Sequence, residues 1–319
     1  NNEDWGEMLD APHASPGRWN DSRGQGDTFG LIEWISSDSE TGTLDSWGYD
    51  LNGQVSSTPD GQDFVQVAGG GLHSVALRED GSIVSWGWDI RGQVSGTPSG
   101  DGFQQVAGGS FHSLALRSDG SVAAWGSDTA GQVSGAPPGG GFVSVACGHS
   151  LSLAIDGSGS ISSWGDNSDG QVSNTPTGTG FVQVSGGDSH SVALQSDGSL
   201  VSWGRNHHGQ VSDTPAGNDF VQVSAGGNHS LALRSDGTIA AWGSDTEGQV
   251  ADTPSGGGFA QVAGGDYHSL ALRSDGSIAA WGWDQDGQIS GAPSEALYSQ
   301  VSSGDSHCVA IDRNPVLSV

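Results

Sequence analysis

Six histidines recur at regular positions along the chain, and histidine can serve as a general base or as a metal ligand. Successive members are 39 or 78 residues apart, and five of the six are followed directly by serine. Such a pair could activate the serine hydroxyl as a nucleophile. If the chain folds as repeated units arranged in a ring, histidines at the same position of each unit could also hold a metal. The six are His73, His112, His190, His229, His268 and His307.

The repetition itself argues against both kinds of chemistry. Catalysis needs one constellation of unlike side chains, whereas this pair recurs around the chain. Histidines in neighbouring units of a ring would also lie too far apart to share one zinc ion, which binds imidazole at about 2.0–2.1 Å. We therefore predict that each histidine is structural and makes the same hydrogen bond within its own unit. We predict no enzymatic activity.

Two further groups of residues have the composition of a site. Residues 166–170 read Asp-Asn-Ser-Asp-Gly, which is similar to a calcium loop, but no glutamate follows at the closing position. Cys147 and Cys308 fall in units that are not neighbours on a ring, so we expect no disulfide between them. The sequence predicts no metal and no cofactor.

Acidic residues outnumber basic ones by 37 to 9, for a net charge of −28, and all nine basic residues are arginine. Nucleic acids and anionic membranes both require clustered positive charge, so the composition excludes them as partners. Self-repulsion destabilises such a chain, and the Debye length of about 3 Å at molar salt largely removes that repulsion. The composition favours a protein adapted to high salt, with an acidic secreted protein at ordinary salt as the alternative.

Targeting signals are not visible in this sequence. No apolar run approaches the roughly 18 residues of a membrane-spanning helix, and no basic segment followed by an apolar one opens the chain. We therefore expect no membrane span. No signal peptide is visible, and a signal peptide already removed from the chain stays open as an alternative. The compartment stays open, with an extracellular or cell-surface location favoured, and we expect a monomer.

A repeat of 39 residues organises most of the chain. Trp-Gly occurs seven times at that interval, and Gly-Gln follows six residues after each tryptophan. Self-similarity at a constant period is typical of propellers and solenoids. The tryptophans are the bulkiest apolar residues of the unit, so we predict that they are buried structural residues. They are Trp47, Trp86, Trp125, Trp164, Trp203, Trp242 and Trp281.

Each unit has the pattern of several short strands and no helix. In the first full unit, residues 65–68 and 73–77 alternate in polarity, and residues 82–86 form the next segment. Asp80-Gly81 lies between the last two, and this dipeptide favours a tight hairpin because glycine tolerates positive φ. Three to four strands per unit, repeated seven times, predict an all-β fold: a seven-bladed β-propeller.

The two ends of the repeat region complement each other. Residues 299–311 match the first half of a unit, and residues 42–48 supply the missing second half. We predict that these segments pair and close the ring, which removes exposed sheet edges. The predicted organisation is an N-terminal extension over 1–40, a propeller over 41–311 and a tail over 312–319. The extension reads as an eroded repeat or a cap, so eight blades stay open as an alternative.

The repeat motif V-A-x-G-x-x-H-S-x-A-L-x-x-D-G-x-x-x-x-W-G-x-[DN]-x-x-G-Q resembles the regulator-of-chromosome-condensation repeat family, most closely its bacterial members. The resemblance covers residues 41–311 and implies a seven-bladed propeller closed by its chain ends. Members of the family include an exchange factor on chromatin, an ultraviolet-B photoreceptor and a secreted β-lactamase inhibitor. Their shared function implies protein recognition on one propeller face.

Two positions of the unit vary while the rest is kept, and they hold the candidate binding residues. One lies two residues after each repeated tryptophan, and the other lies just before each repeated histidine. Ring closure would gather their large apolar members into one sector, whereas the other units carry small or charged residues there. The candidates are Tyr49, Trp88, Trp283 and Arg205 at the first position, with Leu72, Phe111 and Tyr267 at the second.

This aromatic sector predicts a binding surface, because interface hot spots are enriched in tryptophan and tyrosine. We predict a non-enzymatic scaffold for an unidentified protein partner. A lectin-like propeller that binds a glycan is the alternative, since aromatic rings also stack on sugars, and an enzyme of unknown reaction comes third. The same side chains could instead pack against residues 1–40.

Overall fold

Short strands joined by tight turns make up the repeat region. The computed structural model describes residues 41–294 and 297–313, which contain 21 strands and no helix. The strands are β1 Thr43–Gly48, β2 Phe64–Gly69, β3 His73–Arg78, β4 Ile83–Gly87, β5 Phe103–Gly108, β6 His112–Arg117, β7 Val122–Gly126, β8 Phe142–Cys147, β9 Leu151–Asp156, β10 Ile161–Gly165, β11 Phe181–Gly186, β12 His190–Gln195, β13 Leu200–Gly204, β14 Phe220–Ala225, β15 His229–Arg234, β16 Ile239–Gly243, β17 Phe259–Gly264, β18 His268–Arg273, β19 Ile278–Gly282, β20 Tyr298–Ser303 and β21 His307–Asp312.

Every repeat forms one antiparallel sheet of three strands, which we call a blade. The predicted hairpin at Asp80-Gly81 is present: Gly81 has a φ of +79°, and its N–H donates to the Arg78 carbonyl at 2.9 Å. Blade 1 contains β2–β4, blade 2 β5–β7, blade 3 β8–β10, blade 4 β11–β13, blade 5 β14–β16, blade 6 β17–β19, and blade 7 β20, β21 and β1.

The two ends of the repeat region pair in blade 7, as the sequence predicted. Strand β1 lies antiparallel to β21, with Leu44 opposite Ile311 and Trp47 opposite Cys308. Trp47 Nε1–H also donates to the carbonyl of Gln288 in the preceding unit, at 2.9 Å. The described residues therefore form an all-β, seven-bladed propeller. The predicted cap or eighth repeat over 1–40 lies outside them, as do most residues of the predicted tail.

The apolar core lies between neighbouring blades. Phe64, Val67 and Trp86 of blade 1 pack with Leu44 and Ile311 of blade 7 in one cluster, and similar clusters recur around the ring. All seven repeated tryptophans are buried, and each donates its Nε1–H to a buried glutamine's carbonyl in the preceding unit. Apolar packing between blades is therefore combined with a hydrogen bond from each repeated tryptophan.

The six repeated histidines link neighbouring blades, so the prediction of a bond within each unit is wrong. His73 Nε2 shares a hydrogen bond of 2.7 Å with Ser113 Oγ of blade 2. Side chains of a middle strand point alternately to opposite faces of the sheet, and this position faces the following blade. The other pairs are His112–Ser152, His190–Ser230, His229–Ser269, His268–Cys308 and His307–Ser74, at 2.7–3.1 Å.

A second ring of hydrogen bonds joins the inner strands. Val106 N–H donates to Gln66 Oε1 of the preceding blade at 2.8 Å. The same bond occurs at Val145, Val223, Val262, Val301 and Val67, with Gln105, Gln183, Gln222, Gln261 and Gln300 as acceptors. Both rings are interrupted at one place, the boundary between blades 3 and 4.

The interruption has a sequence origin, because blade 3 carries smaller or apolar residues at both positions. Leu151 replaces the histidine, which leaves the buried Ser191 Oγ without a hydrogen-bond partner. Ser144 replaces the glutamine, and its side chain is two carbon atoms shorter than the glutamine that serves as acceptor at the other boundaries. The boundary between blades 3 and 4 therefore has fewer polar contacts than the other six.

Ser144→Gln should stabilise the propeller, because it supplies at this boundary the acceptor that glutamine provides at the other six. A net intramolecular hydrogen bond contributes about 0.5–1.5 kcal/mol, so we expect a gain of about 0.5–1 kcal/mol after side-chain ordering. The midpoint of urea unfolding measures it. The matched control is Gln222→Ser at an intact boundary, where the midpoint should fall. Equal midpoints for the parent and Ser144→Gln would contradict this account.

Cys147 and Cys308 are free thiols in the structure. Cys308 takes the place of serine in the histidine ring, and its Sγ lies 3.1 Å from His268 Nε2. Burial raises the pKa of both thiols, which keeps them protonated.

Within the part of the chain that the structure describes, no helix is long and apolar enough to cross a membrane.

Candidate functional site

One face of the propeller gathers most of the variable residues. Strand β3 begins at this face with His73, and β4 ends there at Gly87, directly opposite. Trp88 N–H donates to the Leu72 carbonyl at 2.8 Å, which holds the two variable positions of the unit side by side. The same arrangement in every blade places both variable positions on a single face around the central channel.

The channel runs along the inner strands of all seven blades. A cavity of about 270 Å³ is lined by residues of β2, β5, β8, β11, β14, β17 and β20 and by the turns that follow them. Its wall consists mainly of glycine, alanine, serine and valine, with four glutamines of the second hydrogen-bond ring, Gln183, Gln222, Gln261 and Gln300. Small residues suit this place, because seven strands converge there.

A ring of seven residues surrounds the channel at the variable face, and we call it the mouth ring. Its members lie two residues before the repeated histidine position of each unit. Sequence reasoning did not single out this position, although its change from glycine to aspartate between units is visible in the sequence. The members are Gly71, Ser110, His149, Asp188, Gly227, Asp266 and Asp305.

The three aspartates of the mouth ring have few partners. Asp188 Oδ1 lies 3.9 Å from His149 Nδ1, and Asp305 Oδ1 accepts a hydrogen bond of 3.4 Å from Ser110 Oγ. Asp266 Oδ1 is shielded from solvent and has no hydrogen-bond partner. Glycine at position 227 permits this placement, because a Cβ there would collide with Asp266 Oδ1.

Burial and mutual repulsion shift the acidity of these aspartates. Burial, reinforced by the charges of Asp188 and Asp305, raises the pKa of Asp266 to about 8. Burial and the charge of Asp188 raise the pKa of Asp305 to about 6. Burial also raises the pKa of Asp188, although His149 and Arg205 oppose it. The mouth ring is therefore a place where negative charge is poorly compensated.

The predicted aromatic residues lie beside the mouth ring. Trp88 contacts Phe111 edge to face at 5.4 Å between ring centroids, and Phe111 contacts His149 at 5.5 Å. On the other side of blade 7, Tyr267 contacts Trp283 at 6.1 Å. Tyr267 is 40% exposed, whereas the other three aromatic side chains are half-buried.

Two exposed aliphatic residues extend this surface, and sequence reasoning missed them. Leu51 follows Tyr49 in blade 7, and Ile90 follows Trp88 in blade 1; their side chains are 82% and 72% exposed. Both occupy the fourth position after the repeated tryptophan, where the other units carry polar residues. We call the combined surface the apolar arc: Trp283 and Tyr267 of blade 6, Tyr49 and Leu51 of blade 7, Leu72, Trp88 and Ile90 of blade 1, and Phe111 of blade 2.

Arg205 does not belong to the apolar arc. It lies in blade 4, where its Nε–H donates to His207 Nδ1 at 3.0 Å. The equivalent positions in blades 2, 3 and 5 hold Ser127, Asp166 and Ser244, so this side of the face is polar. The sequence-predicted set therefore divides into six residues of the apolar arc and one arginine in the polar part. Partner binding by any of them stays a prediction.

The repeated histidines do not form an accessible catalytic or metal site. Their side chains have no solvent exposure, and burial lowers their pKa values to about 3–4. They are therefore neutral, and each is held against a side chain of the next blade. Among residues 41–294 and 297–313, no three His, Cys, Asp or Glu side chains are grouped so as to hold a metal ion.

The polar side chains of the acidic loop over 166–170 form hydrogen bonds within the loop and with the residues that follow it. Asp166 Oδ2 accepts hydrogen bonds from Ser168 Oγ at 2.9 Å and Gln171 Nε2 at 3.1 Å. Asn167 Oδ1 accepts from the N–H groups of Val172 and Ser173. These polar side chains order the turn after β10.

Solved structures with the same architecture are distantly related in sequence. Prp20p from Saccharomyces cerevisiae is 20% identical, covers 85% of this chain and 91% of its own, and superimposes with a TM-score of 0.71. Human WBSCR16 is 17% identical, covers 85% and 99%, and has a TM-score of 0.69. The ectodomain of the receptor kinase CR4 from Physcomitrella patens is 21% identical, covers 80% and 72%, and has a TM-score of 0.66. These likenesses show the fold.

The sequence itself gives the family. No curated protein matches the chain significantly. The family described as "Regulator of chromosome condensation (RCC1) repeat" matches residues 64–93, 103–132, 142–171, 181–210, 220–249 and 259–288, which together are more than half of the chain. Each match begins at the aromatic residue of the inner strand and ends at the buried glutamine. The chain belongs to the regulator of chromosome condensation (RCC1) repeat family.

Proposed function

We propose that this propeller is a non-enzymatic scaffold that binds another protein through the face with the mouth ring, and that it acts at high salt. The observation that carries the proposal is the apolar arc, which spans four consecutive blades. It includes Leu51 and Ile90, which are 82% and 72% exposed. Exposed apolar residues gathered on one face of a protein mark interaction sites.

Features of the arc and of related proteins support recognition of a protein. Tryptophan and tyrosine dominate interface hot spots, and Trp88, Tyr267 and Trp283 belong to the arc. Yeast Prp20p, which shares the fold, is described by its binding to Gsp1p and histones, and it has also been solved bound to Kap60. A rigid ring that presents variable residues from several blades suits such a role, because little ordering is needed on binding.

The absence of enzymatic activity is supported by the state of the His–Ser pairs. Neutral, fully buried histidines cannot exchange protons with a bound substrate at neutral pH. Within the described residues, the mouth-ring aspartates are titratable groups whose charge is poorly compensated, and they lie on the proposed binding face.

Trp88→Ala combined with Trp283→Ala should abolish partner capture. Truncation of hot-spot tryptophans typically costs at least about 2 kcal/mol each, which weakens binding more than 100-fold for the pair. The measurement is affinity capture in high-salt buffer from source lysate and medium, with the captured protein identified by mass spectrometry. We expect one protein that is enriched by the parent and lost with the double variant.

The matched control is Ser127→Ala combined with Ser244→Ala, which changes the same repeat position in blades 2 and 5. It should retain the captured protein. Equal capture by both double variants would contradict the proposed face. Protection of Trp88 and Trp283 from a fluorescence quencher by residues 1–40 would contradict it as well. Release of the captured material by simple sugars would assign the surface to glycans instead.

A further inference from the structure

Positive charge is placed on the face opposite the mouth ring. Strand β3 starts with His73 at the mouth and ends with Arg78 at the other face, and three other middle strands also end in arginine. Each of these arginines lies over a phenylalanine ring, at 4.3–4.5 Å from the ring centroid: Arg78 on Phe64, Arg117 on Phe103, Arg234 on Phe220 and Arg273 on Phe259.

The face with the apolar arc has a strong excess of negative charge. Among the described residues, its loops carry only Arg91 and Arg205 as permanent cations. The mouth ring adds three aspartates at its centre, and Asp266 Oδ1 is both shielded from solvent and without a hydrogen-bond partner. An apolar surface around carboxyl groups that ionise unfavourably without a nearby cation is complementary to a segment that is apolar and positively charged.

The mouth ring distributes its acceptors around an opening. Asp266 lies over Gly227 and Asp305 lies over Gly71, since a Cβ at either glycine would contact the neighbouring carboxylate. Asp188 Oδ1 and Oδ2 have only long contacts, 3.9 Å to His149 Nδ1 and 3.3 Å to Asn228 Nδ2. Behind the ring, the cavity of about 270 Å³ offers room for a single long side chain.

We propose that the mouth ring receives an arginine side chain of the partner protein, while apolar residues next to that arginine pack on the apolar arc. The inference rests on the proposed protein-binding function and names the partner's chemistry: a basic segment with apolar flanks. A guanidinium group has five N–H donors in a planar fork, so it can serve carboxylates that lie on different sides of the opening. Phe111 and Tyr267 beside the ring add aromatic contacts that favour a cation.

The test uses a model cation and a neutral molecule of the same shape, so that it does not depend on the identity of the partner. Butylguanidinium is the cation, and N-butylurea is its uncharged isostere. Carboxyl signals of ¹³C-labelled aspartate, recorded at about pH 8 in about 0.5 M KCl, report binding at the ring. We expect saturable shifts of Asp266 and Asp305 with a Kd of about 1–10 mM for butylguanidinium and none for N-butylurea.

Matched variants separate the mouth ring from the general charge of the protein. Asp266→Asn combined with Asp305→Asn should weaken butylguanidinium binding at least 10-fold, whereas Asp101→Asn, at an exposed turn after β4, should leave it unchanged. Equal shifts with N-butylurea, or binding retained by the double variant, would overturn the inference. Displacement of butylguanidinium by calcium chloride, at a calcium concentration below the Kd of butylguanidinium, would also overturn the inference. It would indicate a metal site instead.

The two proposals can fail separately. Partner capture that depends on Trp88 and Trp283, together with no butylguanidinium binding, would overturn the arginine site and leave the scaffold function standing. Butylguanidinium binding without any captured protein would overturn the scaffold function and leave the mouth ring as a cation site.

Discussion

Lowering the pH from 7 to 5 should unfold the propeller, with a loss of stability on the order of 5 kcal/mol or more. The cause is the set of six repeated histidines, whose pKa values burial lowers from 6.5 to about 3–4. Unfolding restores the ordinary pKa, so the unfolded chain takes up protons that the folded chain refuses. Domains of this kind are stable by only about 5–15 kcal/mol, so the loss approaches the whole stability.

The direction of the effect follows from which state binds protons. A histidine with a lowered pKa contributes stability that is fully present above 6.5 and is lost as the pH falls toward 3–4. Each contributes a loss of about 1–2 kcal/mol between pH 7 and 5, since one pKa unit corresponds to about 1.4 kcal/mol.

The mouth-ring aspartates act in the opposite direction. Burial raises the pKa of Asp266 to about 8 and that of Asp305 to about 6. The folded protein therefore loses stability as the pH rises through these values, because both carboxyl groups must ionise in a buried place. Acidification from pH 7 to 5 therefore recovers part of the loss. The raised pKa of Asp188 acts in the same direction. Six histidines outweigh these three aspartates, so the net effect of acidification is destabilising.

Urea unfolding at constant high salt, followed by circular dichroism between pH 7 and pH 5, measures the effect. A useful variant is His190→Leu with Ser230→Ala, which replaces one buried pair by apolar residues. Its pH dependence should be smaller than that of the parent by the share of one histidine. A midpoint that does not change between pH 7 and pH 5 would contradict the burial of neutral histidines.

Raising KCl from about 0.1 M to about 2 M should increase the Tm by about 10 °C or more, which corresponds to several kcal/mol for a domain of this size. The net charge is −28, and self-repulsion on this scale destabilises the compact state. Four of the described arginines lie over phenylalanine rings, and at two of these sites the arginine also pairs with an aspartate, Arg78 with Asp63 and Arg234 with Asp219. These contacts leave most of the negative charge unpaired.

The shape of the salt dependence identifies screening as the cause. The Debye length falls from about 10 Å at 0.1 M to about 3 Å at 1 M, so most of the gain should appear below about 1 M KCl. Differential scanning calorimetry across this range gives the curve. A Tm that is insensitive to KCl would remove the high-salt adaptation, and a purely linear rise up to about 2 M would indicate a general solvent effect instead of screening.

The architecture could be read from the sequence because the repeat fixes local structure and topology together. Seven Trp-Gly copies at a constant interval, Asp-Gly turns and complementary ends predicted the blades and the pairing of β1 with β21. The direction of the histidines was not accessible in this way. Periodicity tells which residues share a face of a sheet, but it does not tell which neighbouring blade that face meets.

The binding face could be predicted only in part. Trp88 and Trp283 stood out because they are large, while Leu51 and Ile90 occupy a position that looks like an ordinary loop. Their exposure depends on how the loop after each outer strand turns. The mouth ring depends on ring closure, since Ser110 of blade 2 reaches Asp305 of blade 7 only across Gly71. Contacts of this kind join repeats that are distant in the sequence, so the repeat pattern does not predict which side chains meet.

The measurement that tests the central claim most directly is the Kd of the captured protein for the parent and for Leu51→Ser combined with Ile90→Ser. Both side chains are largely exposed, so the change should leave the Tm unaltered. Exposed apolar contacts at an interface are worth about 1 kcal/mol or more each, so the account predicts a Kd at least 10-fold higher for this variant. An unchanged Kd, with an unchanged Tm, would show that the apolar arc is not the binding surface.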